Sequence, residues 1–158
     1  MDLNLKGKRA LVTGGSKGIG KACAQVLAEE GCAVTIVSRD AQTLAAAAAD
    51  IKAATGTTVQ CRAADLSQRG AAEGLAAAVG ELDILVNNAG AIPGGDLLKV
   101  DEDTWRHAWD LKVFGYINLT RAVYAQMKQN KRGVTANLPG NAGGKLNAPN
   151  TAGSHAHA

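Results

Sequence analysis

Between a short apolar run, Arg9-Ala10-Leu11-Val12, and an amphipathic segment stands Thr13-Gly14-Gly15-Ser16-Lys17-Gly18-Ile19-Gly20. A buried strand that stops at glycines and restarts as a helix leaves the helix N-terminus open. Unpaired N–H groups and a partial positive charge collect there and form a natural phosphate site. The glycines divide the work. Gly14 permits the tight turn, Gly18 lets the backbone approach a pyrophosphate, and Gly20 allows the helix to pack on the strand. Ile19, Ala22, Cys23, Val26 and Leu27 recur at helical spacing and mark the face expected to be buried, with the helix ending at Gly31. The continuous run Ala33-Val34-Thr35-Ile36-Val37 then completes a βαβ unit with a strand covered on both faces.

Further elements follow in the same rhythm. An alanine-rich helix is expected over 45–54, with Leu44, Ala48 and Ile51 as its apolar stripe, ended by Gly56. A third strand over 57–61 leads to Ala64-Asp65-Leu66. A helix over 68–80 carries Gly70 and Gly74, each of which weakens it by about 1 kcal/mol relative to Ala. A fourth strand over 82–86 runs into Asn87-Asn88-Ala89-Gly90, where strand carboxyl ends meet the ligand crevice of an open sheet. Residues 91–95 read as loop. Asp101 caps a long helix that runs from 102 to about 129. In it, Trp105, Trp109, Val113 and Ile117 form one apolar row, with Leu111, Phe114 and Ala122 on an adjacent one. A weakly hydrophobic fifth strand is expected over 133–138, and from Pro139 the Gly, Asn, Ala, Pro and His composition reads as a loop or tail.

The glycine spacing is T-G-x-x-x-G-x-G rather than G-x-G-x-x-G. With this loop, Asp65-Leu66, Asn87-Asn88-Ala89-Gly90 and the helix 111–127 in order, the chain resembles the short-chain dehydrogenase/reductase family from about Lys8 to its end. The resemblance implies an α/β doubly wound, Rossmann-like parallel sheet in the strand order 3-2-1-4-5, with helices on both faces. It divides the chain into a dinucleotide-binding domain, 1–138, and a segment, 139–158, where the catalytic residues belong. The resemblance takes in only the first two thirds or so of the family's fold. What would follow are further strands, an oligomerisation helix and a substrate loop.

The implied cofactor is a nicotinamide dinucleotide, held at Gly14, Ser16, Lys17, Gly18, Ile19, Ser38, Arg39, Asp65, Leu66, Asn87, Ala89 and Gly90. Asp65 would bond the adenine amino group, and Leu66 would cover the ring. Asn87 would tie adjacent strands, and Ala89-Gly90 would line the adenosine ribose. The alternative for Asp65 is a simple turn residue where a strand meets a loop. An NAD site commonly places a carboxylate after the second strand, which would repel the 2′-phosphate of NADP. Ser38 and Arg39 stand there instead, with Lys17 as a second base, so NADP is expected over NAD. Asp40, one residue later, suits a helix cap.

The catalytic half departs from the pattern. Family members use Asn, Ser, Tyr and Lys, and those positions fall at Asp110, Gly140, Asn150 and Ser154, none of which matches. Lys145 stands at the wrong spacing, and the only tyrosines, Tyr116 and Tyr124, lie within the long helix. An Asn amide does not serve as a general acid near neutral pH. Three readings therefore stand: an NADP-dependent oxidoreductase moving hydride between nicotinamide and a carbonyl or alcohol, an inactive NADP-binding remnant or fragment of that family, or an unrelated nucleotide-linked chemistry on the same fold.

With 158 residues and 46% apolar content, the chain can bury one core. Its net charge of +3 is spread, with no basic run interleaved with aromatics, so no nucleic-acid partner is expected. Cys23, Cys32 and Cys61 lack metal-ligand spacing and read as reduced thiols, and His155 and His157 do not by themselves make a metal site. No apolar stretch approaches a membrane span, and the first residues carry no hydrophobic signal region. A cytoplasmic protein, possessing a homo-oligomer contact through the 102–129 helix, is the expectation.

Overall fold

The computed structural model describes residues 3–90 and 98–139. The expected loop 91–95 and the segment from Gly140 onward, with Asn150, Ser154, His155 and His157, lie outside the described residues. The elements in chain order are β1 (Arg9–Thr13), α1 (Gly18–Glu29), β2 (Ala33–Ser38), α2 (Ala41–Thr55), β3 (Gln60–Ala63), α3 (Ala71–Val79) and β4 (Ile84–Asn87). They continue with α4 (Glu102–Trp109), a π-helical turn (Asp110–Phe114), α5 (Gly115–Gln129) and β5 (Val134–Asn137). The five strands form one sheet in the order β3-β2-β1-β4-β5, and every pairing is parallel.

Strand alternation sends side chains to two cores. Ala10, Val12, Val34, Ile36 and Val86 meet Ala24 and Ala28 of α1 and Leu44, Ala47 and Ile51 of α2. Leu11, Val37 and Leu85 meet Ala72 and Leu75 of α3 and Leu119, Val123 and Met127 of α5. Helices thus cover both faces. Because both faces are covered, the central strands read as unbroken apolar runs rather than alternating ones.

Several expectations from sequence are corrected. The buried face of α1 is Gly20, Ala24 and Ala28, not the bulkier set. Ile19 and Val26 are 66% and 52% exposed, while Leu27 is partly buried. The reason is space: α1 lies so close to the strand ends that a Cβ at Gly20 would strike the Gly14 carbonyl and Asn88 Nδ2. Small residues at every fourth position allow that approach; large ones would lift the helix away.

Helix α2 starts four residues earlier than expected, because the Asp40 carboxylate accepts from the Thr43 amide at 2.7 Å, and its third buried contact is Ala47 rather than Ala48. Strand β3 begins at Gln60, since Thr57 is held by the ends of α2 and α1 through Thr55 Oγ1 and the Ala28 carbonyl. Helix α3 begins only at Ala71, because Gly70 has φ +80° and breaks the helical conformation.

The long helix 102–129 is not uniform. A π turn widens one coil by a residue. Two successive residues, Leu111 and Lys112, then face inward, and the buried row runs Ala108, Leu111, Lys112, Gly115, Leu119, Val123 and Met127. The expected row 105-109-113-117 is only half-buried, and Ile117 is 45% exposed. Strand β5 is shorter than expected and exposed along its length.

Candidate functional site: the crevice at the strand carboxyl ends

The carboxyl ends of β1, β2 and β4 converge on a crevice of about 450 Å³. Its floor is the glycine turn. Gly14 and Gly18 have φ of +65° and +55°, the left-handed region that favours glycine. The turn is fastened on two sides. The Gly15 amide donates to the Val37 carbonyl at 3.1 Å. The Asn88 side-chain amide donates to the Thr13 and Gly14 carbonyls at 3.0 and 3.2 Å. Thr13, wholly buried, completes the join: its hydroxyl accepts from the Asn88 and Ala89 amides at 2.9 and 3.0 Å and donates to the Val86 carbonyl.

The first turn of α1 opens onto this floor. Its N-cap, Lys17, is extended at φ −159° and makes no side-chain capping bond, and no acidic residue stands in the turn. The N–H groups at this end are therefore uncapped by side chains, and the helix dipole adds positive potential. A Cβ at Gly18 would meet nothing within 4 Å, so the backbone there faces open space. These features fit a phosphate group.

Nine of the expected cofactor residues border the crevice. Gly14, Ser16, Lys17 and Ile19 come from the turn and α1, Ser38 and Arg39 from the end of β2, and Leu66, Ala89 and Gly90 from the segments after β3 and β4. Ile19, displaced from the expected core face, is exposed because it forms part of this rim. Gly18, Asp65 and Asn87 are not among the bordering residues. Asp65 lies beside them with one carboxylate oxygen accepting from the Ser67 amide at 3.1 Å and hydroxyl at 2.7 Å. Partial burial works against its charge, but those bonds and the nearby Arg39 guanidinium hold its carboxyl below the ordinary value. Asn87 is fully buried; its amide donates to Thr120 Oγ1 at 3.0 Å and Asn137 Oδ1 at 2.9 Å, joining β4 to α5 and β5.

Asp40 also borders the crevice, but its carboxylate is occupied as the α2 cap. The Thr43 bonds keep it below the ordinary carboxylate range. Asp110, the position assigned to the family's Asn, is exposed on the π turn. The inward residue of that turn is Lys112, 7% exposed, whose ammonium donates to Tyr116 Oη at 2.6 Å and to the Leu138 carbonyl at 2.8 Å. Sequence reasoning passed over it and read Thr13 and Asn88 only as members of their motifs, without the bonds that join them. The available signal for Lys112 was a lone lysine between Leu111 and Val113 in an apolar helix. Burial pushes the Lys112 ammonium below, and the Tyr116 phenol above, their ordinary values.

Comparison with known proteins supports the same assignment. A sequence profile described as short chain dehydrogenase matches residues 8–153. The chain belongs to the short-chain dehydrogenase/reductase family. It is 37% identical over 134 residues to the uncharacterized oxidoreductase YvaG of Bacillus subtilis, covering 84% of this chain and 51% of that protein. It is 34% identical over 132 residues to the 3-oxoacyl-[acyl-carrier-protein] reductase FabG of Escherichia coli, covering 83% of this chain and 54% of that one. A solved metagenomic short-chain oxidoreductase in complex with NADP superposes with a TM-score of 0.87 at 35% identity, covering 97% of this chain and 71% of that one. The chain thus spans about half the length of these curated family relatives.

Proposed function

We propose that this chain is the cofactor-binding part of an NADP-dependent oxidoreductase that moves hydride between nicotinamide and a carbonyl or alcohol substrate. The observation that carries the reading is the pairing of an uncapped helix N-terminus with Ser38 and Arg39 at the opposite rim of one crevice. The first suits a pyrophosphate. The second offers a hydroxyl and a guanidinium to a 2′-phosphate, and the carboxylate nearest to them, Asp40, is already engaged by Thr43. The NADP held by the metagenomic relative supports a nicotinamide dinucleotide in this crevice.

In this reading Gly14 and Gly18 bring backbone N–H groups to the pyrophosphate, Leu66 covers the adenine, and Ala89 and Gly90 border the adenosine ribose. Asp65 stands beside the adenine end. Asn87 holds β4, β5 and α5 in register. The dinucleotide, when bound, supplies or receives hydride. Arg39→Asp tests the assignment: in paired calorimetric titrations the NADPH-over-NADH preference reverses, and an unchanged ratio of affinities refutes the 2′-phosphate role.

A second reading, cofactor binding without turnover, is favoured by the placement of the chain's two tyrosines. Tyr116 is tied to Lys112 and Tyr124 is 59% exposed on α5. Oxidation of NADPH with a panel of ketones and quinones separates the two; turnover above the no-substrate rate rules out the second. We further propose that a second copy of the chain covers the outer face of α5, where Phe114, Ile117 and Tyr124 are 50%, 45% and 59% exposed. Monomeric sedimentation at high concentration would count against it. A reducing cytoplasm suits the three free cysteines, and among the described residues no helix is long and apolar enough to cross a membrane.

A further inference from the structure

The π turn brings a lysine inward against Gly90, a residue that borders the crevice, and nothing in the cofactor reading so far uses it. The crevice runs from Ser38 and Arg39 at the end of β2, across the glycine turn, to Gly90 and Leu111 beside the end of β4. Lys112 follows directly. Its stem lies on Gly90, so a Cβ there would meet Lys112 Cδ at 3.0 Å and Nζ at 3.3 Å. The ammonium thus stands at the junction of Gly90 after β4, Leu138 after β5 and Tyr116 on α5.

Two features show that this cation is not merely filling space. An ammonium has three N–H donors. Two are used, on the Tyr116 oxygen and the Leu138 carbonyl, and Nζ also lies 4.6 Å from the Tyr116 ring centre. Among the described residues, no carboxylate lies within ion-pair distance of it. A desolvated charge held only by neutral groups is costly unless something else compensates it. The π turn carries it inward together with Leu111.

We propose that Lys112 is a cofactor-binding residue for the second nucleoside of a bound dinucleotide, its remaining N–H donating to the ribose hydroxyl oxygens of the nicotinamide end. This rests on the cofactor reading above. A dinucleotide anchored by its 2′-phosphate at Arg39 and its pyrophosphate on the glycine turn directs its other half past Ala89 and Gly90. Lys112 is the cation that meets it there. The anionic ligand also supplies charge compensation that no described carboxylate gives Lys112.

The test compares two ligands on the full chain, NADPH and adenosine 2′,5′-bisphosphate, which carries only the adenosine end. In calorimetric titrations Lys112→Met weakens NADPH by about tenfold or more and leaves the bisphosphate within about twofold, while Lys112→Arg restores most of the NADPH affinity. NADPH affinity unchanged in Lys112→Met, or equal losses for both ligands, overturns the proposal. A second measurement reads the wild-type chain, with Lys112→Arg needed only to assign the signal. In ¹⁵N-lysine side-chain NMR, the resonance missing from Lys112→Arg shifts with NADPH and stays in place with the bisphosphate; a resonance unmoved by NADPH overturns the proposal as well. Failure of the wild-type chain to bind the bisphosphate is a different signature, and refutes the cofactor reading itself.

Discussion

Gly18 and Gly20 are two residues apart on the same turn, yet the structure assigns their substitution by alanine different costs. Gly18 has φ +55° with empty space around a Cβ, so Gly18→Ala bears only the left-handed conformational penalty of about 1–2 kcal/mol. Gly20 has an ordinary helical conformation and would gain about 1 kcal/mol in helix propensity. Its Cβ, however, would overlap the Gly14 carbonyl group, backbone that has no flexible end to swing away, and the Asn88 side-chain amide. Relieving that overlap costs about 1–3 kcal/mol. It also breaks the Asn88 bonds to Thr13 and Gly14, each contributing about 0.5–1.5 kcal/mol. The net expectation for Gly20→Ala is a loss of about 2–4 kcal/mol, or roughly 5–15 °C in melting temperature for a chain of this size. Urea melts followed by circular dichroism measure both variants at an unchanged slope. Gly20→Ala falling at or below the cost of Gly18→Ala would refute the close-packing argument. The ligand side should invert the order per unit of stability: Gly18→Ala, the milder change for the fold, places a methyl group in the open space offered to the pyrophosphate.

Other perturbations follow from the same contacts. Thr13→Val keeps shape but leaves the Asn88 and Ala89 amides without their acceptor, costing about 2–4 kcal/mol in urea melts, while Thr13→Ser costs less because the hydroxyl remains. Leu119→Ala removes a wholly buried side chain from the α5 face and costs about 2–5 kcal/mol by the same assay. The Asp40 carboxyl is held below its ordinary value by Thr43, so its stabilising contribution is complete above the unfolded-state value and is lost as pH falls through the lower folded value. Asp40→Asn therefore flattens the acidic limb of a stability-against-pH curve below about pH 4, and an acidic limb identical to wild type would exclude Asp40 as a contributor.

The sheet was legible because its signal is redundant. Three central strands are continuous apolar runs bounded by glycine or polar turns, and one parallel order accommodates them all. What escaped reading follows a common physical rule: hydrophobicity reports bulk, whereas placement depends on the room available. Ile19 and Val26 outrank Ala24 and Ala28 on any transfer scale, yet the alanines face the sheet because Gly20 sets the helix too close for anything larger. The same rule hid the site. Asp110 is placed by laying the family's motif along the chain, which does not say which way a residue faces; in the π turn Leu111 and Lys112 face inward and Asp110 is exposed. Thr13 and Asn88 are polar residues at strand ends, a pattern that sequence assigns to turns; only their contacts across β1 and β4 show that they clamp the glycine turn. The residues legible in sequence are thus those whose work is done by backbone near their own position, such as Gly14, whose left-handed φ makes the tight turn. Those that act across the sheet, Thr13 to Ala89 or Lys112 to Leu138, depend on register and helix pitch, quantities that no local pattern of residues encodes.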